Sequence, residues 1–518
     1  MKHKLLSVEL PLYQRYARDY RVAPVVMRMT GLTRSPIEVF RALKHVSKQC
    51  FILESLEDNE KDGRYTFLGY DPATEVTCKD GRLTIRGPDG TYERQDVHPG
   101  TYIARVIAEN RSPRIPGLPP FTGGLVGYFS FDYLKYAEPS LKFKGVDEEG
   151  FRDVDLMLFD KVIAFDHLEQ AVYLIYNMAL TDVQNGLRQA IHELDDMRVL
   201  VYSGERAEIA PLQLTGDFEA LFDKAGFVEI VDKAKHHIRE GDIFQVVLSN
   251  RLKAPAAGSL FETYRRLREL NPSPYMFYFS SDDLEIAGAS PETLVKLSGD
   301  RLTTFPLAGT RPRGQTPEED AALEAGLLAD DKELSEHNML VDLGRNDLGK
   351  ISEFGSVRVL DYLSVLRFSH VMHIGSTVEG QIRKSYSAID AVDAVLPAGT
   401  LSGAPKIRAC EIIDELEDNR RGVYGGAIGY ISNTGDLDTC IAIRIAYKKN
   451  GQVYVRAGAG IVADSVPENE YQECENKMAA VRQALLDVSG HPGRGEFPAP
   501  RADATTAARL PQSLQERQ

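Results

Sequence analysis

The run Phe227-Val228-Glu229-Ile230-Val231-Asp232-Lys233-Ala234-Lys235-His236-His237-Ile238-Arg239-Glu240-Gly241-Asp242-Ile243-Phe244-Gln245-Val246-Val247-Leu248 carries two periodicities in succession. Phe227, Ile230, Val231, Ala234 and Ile238 recur at helical spacing. Gly241 and Asp242 interrupt the pattern, and Ile243 to Leu248 follows as a buried-strand candidate. From there to about residue 488, strands and helices alternate through glycine-rich turns. Upstream, residues 1–215 read as strands and short helices. Phe51 to Ser55 and Arg64 to Gly69 are strand candidates, the second ending in a turn at Asp71-Pro72. Pro88-Asp89-Gly90 reads as a hairpin turn. Pro113 to Pro120 is a loop leading into Gly123 and Gly124. Asp155 to Asp166 and Ala171 to Met178 read as paired strands. The class is α/β, with no repeat of 20–50 residues.

Length and composition limit the function. A chain of 518 residues is too long for one simple core. Hydrophobic residues at 43% and charged residues at 26% fit a soluble globular protein. No apolar run of about 18 residues is present, so no membrane span is expected. The first ten residues lack a signal-peptide core, which points to the cytoplasm. Five scattered cysteines, none in a CxxC pair, suit a reducing compartment and no structural zinc. A net charge of −15 leaves no basic footprint for nucleic acid. A small anion could still bind through a local cation or metal. The chain contains no tryptophan.

Two acidic segments carry candidate chemistry. In Asp330-Asp331-Lys332-Glu333-Leu334-Ser335-Glu336-His337, a helix puts Glu333 and Glu336 on one face. In Glu470-Tyr471-Gln472-Glu473-Cys474-Glu475-Asn476-Lys477, Glu470, Glu473 and Lys477 share a face. Met478, Val481, Leu485 and Leu486 suit the buried side, and Pro467 the first turn. Two such pairs could hold one Mg²⁺, which takes one or two carboxylates plus water and substrate oxygens. Glutamates at this spacing are also common on solvated helix faces, so the pattern alone leaves both readings open.

Three glycine-rich segments could bring backbone amides to an anion: a turn at Gly309 in Phe305–Arg311, the loop Pro397–Lys406 feeding a helix, and a turn at Ala457-Gly458-Ala459-Gly460-Ile461. Taken singly, each is more readily a tight turn without ligand. Arg444 lies in an apolar run, Cys440 to Ala446, and as a buried-strand arginine would need an anionic partner. His370 and His373 would face opposite sides of a strand, leaving at most one at a site.

Taken together these segments resemble the chorismate-utilising enzymes, and among them the large subunits of anthranilate synthase. The resemblance spans about Phe51 to Leu486. It rests on Gly241–Ser249, Gly288-Ala289-Ser290-Pro291-Glu292, Ala308–Gly314, Asp342-Leu343-Gly344-Arg345-Asn346-Asp347, Pro397–Lys406 and Gly458-Ala459-Gly460. It implies two large antiparallel β-sheets packed face to face with helices on the outside. It also implies a regulatory portion at 1–215 and a chorismate-binding catalytic portion at 216–488. The tail at 489–518, rich in Pro, Gly, Ala and Arg with little apolar periodicity, is expected to be disordered.

The implied site is specific. Glu336 and Glu473 would be direct Mg²⁺ ligands, with Glu333 and Glu470 acting through water. Gly458, Ala459, Gly460 and Lys477 would hold the ring carboxylate, Tyr424 and Arg444 the enolpyruvyl carboxylate, and Gly309, Thr310 and Thr400 would line the pocket. Glu292 is the candidate general acid for the leaving 4-hydroxyl, and His373 moves a proton as pyruvate is eliminated. Relatives of the para-aminobenzoate branch carry a nucleophilic lysine at Ala308. Isochorismate and salicylate synthases carry a water-activating lysine at Gln245. Both amines are missing here, which leaves ammonia as nucleophile and a lyase making anthranilate, the first step toward tryptophan. The alternatives are an aminodeoxychorismate synthase large subunit and a non-catalytic binding subunit.

Glu54 and Ser55, with Pro274, Tyr275 and Met276, resemble the family's feedback pocket for L-tryptophan. The implied partner is a separate glutamine amidotransferase subunit supplying ammonia, in a hetero-oligomer.

Overall fold

The computed structural model describes residues 2–6, 9–56, 63–95, 98–367 and 371–490. Two large antiparallel sheets, of 14 and 11 strands, organise the molecule, with a separate three-stranded sheet beside them. The larger sheet joins early and late strands of the chain. Cys50–Glu54 pairs with Tyr275–Ser280, and Gln245–Ala257 with Gln452–Ile461.

The two sheets meet face to face across an aromatic core. Phe51, Phe67, Phe277 and Tyr447 come from one sheet, and Val126, Met157, Phe159 and Ile428 from the other. Phe51 sits edge-on to Phe159 at 4.7 Å between centroids, the geometry aromatic quadrupoles favour. Helices cover the outer faces. Pro36–Val46, Val183–Ser203, Lys224–Arg239 and Pro467–Ser489 pack on the larger sheet through Phe40, Leu194, Phe227, Val231, Met478 and Leu485. Pro99–Glu109, Asp331–Gly349 and Ala388–Val395 cover the smaller one. The expected two-sheet architecture with outer helices is therefore present.

Several local expectations change. Asp155–Asp166 is two strands, not one. Val154–Phe159 pairs within the smaller sheet, whereas Lys161–Asp166 pairs with Ala171–Ala179 in the larger. The chain crosses between layers at Asp160, because one continuous strand cannot belong to both. Gly458–Gly460 is not a turn: it lies inside the strand Gln452–Ile461. Gly309 marks an irregularity in the strand Leu307–Pro312, at φ 65°. The last helix continues to Ser489 and is capped by Gly490, two residues into the expected tail; residues 491–518, like His370, lie outside the described residues.

Candidate active site

Where the sheets end near the helices Asp331–Gly349 and Pro467–Ser489, functional side chains from distant parts of the chain converge. Asp330 caps the first helix by accepting from the backbone N–H of Lys332 and Glu333. One turn on, Glu336 points toward Gln245, whose Nε2 donates to its Oε1 at 3.2 Å. Glu336 is held above the ordinary carboxylate pKa by burial first, then by the charge of Glu333, with Glu473 of the other helix adding to it. Glu470 is raised by burial and by Glu473. The four predicted carboxylates thus face one another electrostatically from two helices. Among the described residues, no three His, Cys, Asp or Glu side chains form a metal cage by themselves.

Lys477 forms an ion pair with Glu473 at 2.5 Å, and its Nζ donates to the carbonyl of Gly458 at 3.0 Å. Gly460 stands where a Cβ would lie 2.7 Å from Gln245 Nε2. A side chain there would crowd the amide that touches Glu336.

Glu292 follows the strand Leu284–Ser290 and is buried. Its Oε1 accepts from Thr400 Oγ1 at 3.1 Å. Burial raises its pKa to about 8, against the opposing pull of Thr400 and Lys477. At neutral pH it is a protonated carboxylic acid, the state a general acid needs. A small cavity beside it is lined by Thr400, Gly399, Leu343 and Asp347.

His373 sits on the middle strand, Val371–Gly375, of the three-stranded sheet. Its Nδ1 lies 2.8 Å from the carbonyl of Gly309 and 3.1 Å from Thr310 Oγ1. A carbonyl can only accept, so Nδ1 carries the proton and Nε2 the basic lone pair. Burial lowers the pKa of His373, and the Arg444 guanidinium lowers it further, so the ring is neutral near pH 7.

Arg444 is not on a strand. It forms the left-handed link, φ 54°, between Leu437–Ile441 of the smaller sheet and Ile445–Lys449 of the larger. A non-glycine residue in that region costs on the order of 1–3 kcal/mol. Its guanidinium donates to the carbonyl of Lys477. Burial lowers its pKa, with Tyr424 and Glu473 opposing. Among the described residues it makes no ion pair with a protein carboxylate. The buried Tyr424 ring lies beside this group, its hydroxyl 3.1 Å from where a Cβ on Gly458 would be.

Sequence reading missed several members of this neighbourhood. Arg311 reaches Asp330 at 2.7 Å and Glu333 at 3.3 Å. Glu417, Arg421 and Arg456 form a buried ion cluster behind Tyr424. Arg456, an arginine within an apolar strand, carried the signal that drew attention to Arg444.

The second predicted group lies apart, on Cys50–Glu54 and Tyr275–Ser280. Met276 pairs with Glu54 across the sheet, and Leu56 N–H donates to the Ser273 carbonyl at 3.1 Å. Ser55 Oγ is buried and has no hydrogen-bond partner among the described residues. Glu54 accepts from Arg268 Nε at 2.5 Å, from the Tyr264 hydroxyl, and from Thr66 Oγ1 at 3.3 Å. Pro274 sits at the entrance to its strand. Tyr275 sends its hydroxyl away, to Asp438 at 2.8 Å and to Thr293 Oγ1 at 2.9 Å. Thr293 directly follows Glu292.

The family described as chorismate binding enzyme matches residues 48–483, a span that contains every one of these groups except part of the last helix. The chain belongs to that family. It is 43% identical over 487 residues to anthranilate synthase component 1 of Acetivibrio thermocellus, covering 91% of this chain and 97% of that protein. It is also 43% identical over 477 residues to the protein of the same name from Acinetobacter calcoaceticus, covering 90% and 95%. The crystal structure of anthranilate synthase component I from Streptococcus pneumoniae TIGR4 superposes with a TM-score of 0.70 at 39% identity, covering 81% of this chain and 92% of that one. As a member of the family the chain is a chorismate-utilising enzyme. Among its described residues, no helix is long and apolar enough to cross a membrane.

Proposed function

We propose that this chain is the chorismate-aminating component of an anthranilate synthase, a lyase converting chorismate and ammonia to anthranilate and pyruvate. The observation that carries the reading is Arg444: a desolvated cation that, among the described residues, makes no ion pair with a carboxylate calls for an anionic ligand. Chorismate, a dianion, supplies two carboxylates. Arg444 and Tyr424 take the enolpyruvyl carboxylate. Lys477 and the Gly458–Gly460 backbone take the ring carboxylate. Gly309, Thr310 and Thr400 complete the pocket.

The donor set suits Mg²⁺: Glu336 and Glu473 as ligands, Glu333 and Glu470 through water. Glu336 and Glu470, raised by burial first and then by neighbouring carboxylate charge, gain from a hard cation, and one or two carboxylates suffice for magnesium. The bound ion would neutralise carboxylate charge on the substrate.

In the first step Glu292 gives its proton to the 4-hydroxyl, which departs as water as the C–O bond breaks and ammonia bonds to ring carbon 2; the new ammonium group loses one proton, which restores protonated Glu292. In the second, His373 Nε2 takes the hydrogen left on that carbon as a proton while the enolpyruvyl C–O bond breaks; the enolpyruvate released takes up a proton to become pyruvate, and the ring becomes aromatic. Neither Gln245 nor Ala308 can act as a base or an amine nucleophile, which supports ammonia over water or a covalent adduct. The ammonia would come from a glutamine amidotransferase partner, in keeping with the component names of the relatives.

The pairing of Glu54 with Met276, which brings Ser55 to the strand entered through Pro274 and Tyr275, supports a feedback pocket for L-tryptophan, with the Ser55 hydroxyl, unpartnered among the described residues, ready for a ligand. On this reading residues 1–215 contribute the regulatory side and 216–488 the catalytic side, in a cytoplasmic hetero-oligomer.

The test is anthranilate fluorescence from purified chain, chorismate, Mg²⁺ and an ammonium salt at alkaline pH, with and without tryptophan. Magnesium-dependent anthranilate that falls with tryptophan is expected. Aminodeoxychorismate as the sole product would move the chain to the para-aminobenzoate branch. Chorismate binding without turnover would leave a binding subunit.

A further inference from the structure

We propose that Arg421, held by Glu417 together with Arg456, is the positioning residue of the substrate pocket. All three are buried. Glu417, at the end of the helix Lys406–Glu417, collects donors from three other segments. Ser249 N–H and Oγ reach its Oε1 at 2.7 and 2.9 Å. Arg421 Nε reaches its Oε2 at 3.0 Å and Arg456 Nη2 at 2.6 Å. Arg421 then spends its remaining donors on two walls of the site. Nη1 donates to the carbonyl of Leu401 at 2.6 Å, next to Thr400, and Nη2 to that of Val247 at 2.7 Å, two residues beyond Gln245. Arg456 lies on the strand of Gly458 and Gly460. Both guanidiniums stand 5.9 Å from the Tyr424 ring centroid.

One carboxylate therefore ties the Thr400 loop, the Gln245 strand, the Gly458–Gly460 strand and Tyr424 to a common centre. A planar guanidinium with fixed donor directions sets these distances in a way an ammonium cannot. Two arginines against one glutamate also leave one net positive charge behind the Tyr424 ring. That charge suits a pocket for a dianion. The inference rests on the proposed reaction and adds a residue that would not touch substrate.

The experiment compares Arg421→Lys with the unaltered chain, and with Arg152→Lys as a control. Arg152 pairs with the buried Asp155 at 2.6 Å, far from these walls in the chain and outside the cluster. We expect Arg421→Lys to lower kcat/KM for chorismate by about 100-fold, as small misplacement of reacting groups does. Its basic pH limb should also move upward, because a displaced Thr400 no longer stabilises ionised Glu292. Arg152→Lys should lower Tm and leave kcat, KM and the pH limb unchanged. If Arg421→Lys lowers Tm alone, with kinetics within twofold of the unaltered chain, the proposal is wrong. Should Arg421→Lys not fold, Arg456→Lys is read by the same criteria. No anthranilate from the unaltered chain would instead overturn the reaction, and this inference with it.

Discussion

Glu292 shows how one side chain acquires a role from its surroundings. In water its carboxyl would be ionised at neutral pH. In its buried position, with a pKa of about 8, it keeps a proton. Glu292→Gln removes that proton and should lower kcat by roughly 10²–10⁴-fold, the usual worth of a general acid. With ammonia saturating, kcat/KM for chorismate should fall as pH rises through about 8, because only the protonated acid works; a flat profile from pH 7 to 9 would remove Glu292 from that role. Tyr275 makes a different point. Its hydroxyl joins the Met276 strand to Thr293, beside Glu292. Tyr275→Phe should therefore weaken the response to tryptophan more than it lowers uninhibited kcat, as inhibition curves would reveal. Equal loss of both would assign Tyr275 to the catalytic frame instead.

At the scale of elements, close approach between strands decides what can be changed. Gly127 pairs with Leu156 at φ 153°, and a Cβ there would stand 2.0 Å from the Asp155 carbonyl oxygen. Backbone cannot yield as a side chain can, so Gly127→Ala should destabilise the smaller sheet by at least about 1–3 kcal/mol, measured by denaturant unfolding. Gly460→Ala meets the flexible but buried end of the Gln245 side chain at 2.7 Å and Glu336 Oε1 at 3.7 Å, and no backbone. The fold should accommodate it, with Tm nearly unchanged, by moving Gln245 off Glu336. The Mg²⁺ concentration for half-maximal activity should rise by about 10-fold or more, as when the partner of a metal ligand is lost. An unchanged magnesium requirement would detach Gln245 from the metal carboxylates.

Across the whole molecule, the two-sheet interior buries ionisable groups whose titration affects stability. Asp132, Asp155 and Asp160 are each raised to about 6, by burial above all. A carboxyl whose folded pKa exceeds its unfolded value stabilises the fold while protonated, and that contribution is lost as pH rises through the folded value. For Asp132 the window runs from about 4 to about 6. Asp132→Asn keeps an acceptor for the Gly422 N–H and removes the charge. It should raise stability at pH 8 by on the order of 2–3 kcal/mol and change little at pH 4. Equal effects at both pH values would mean the charge is not the cause.

Some of this protein was already written along its chain. The helix from Phe227, the acidic pairs Glu333–Glu336 and Glu470–Glu473, and the strand beginning near Gln245 depend on neighbours only a few residues away. Periodicity therefore exposes them. The motifs around Glu292, Thr400 and Gly460 were legible as resemblance, because many matches occur in order. Tertiary structure alone decided the rest. Asp155 and Lys161 went to different sheets because the chain crosses layers at Asp160, which no local pattern records. Arg444 became the left-handed link between sheets, and only packing showed that it has no carboxylate partner among the described residues. Burial also set the states of Glu292 and His373. A pKa depends on the solvent and charges around a group, and those come from residues far away in the chain: Thr400 and Lys477 for Glu292, Gly309 and Arg444 for His373.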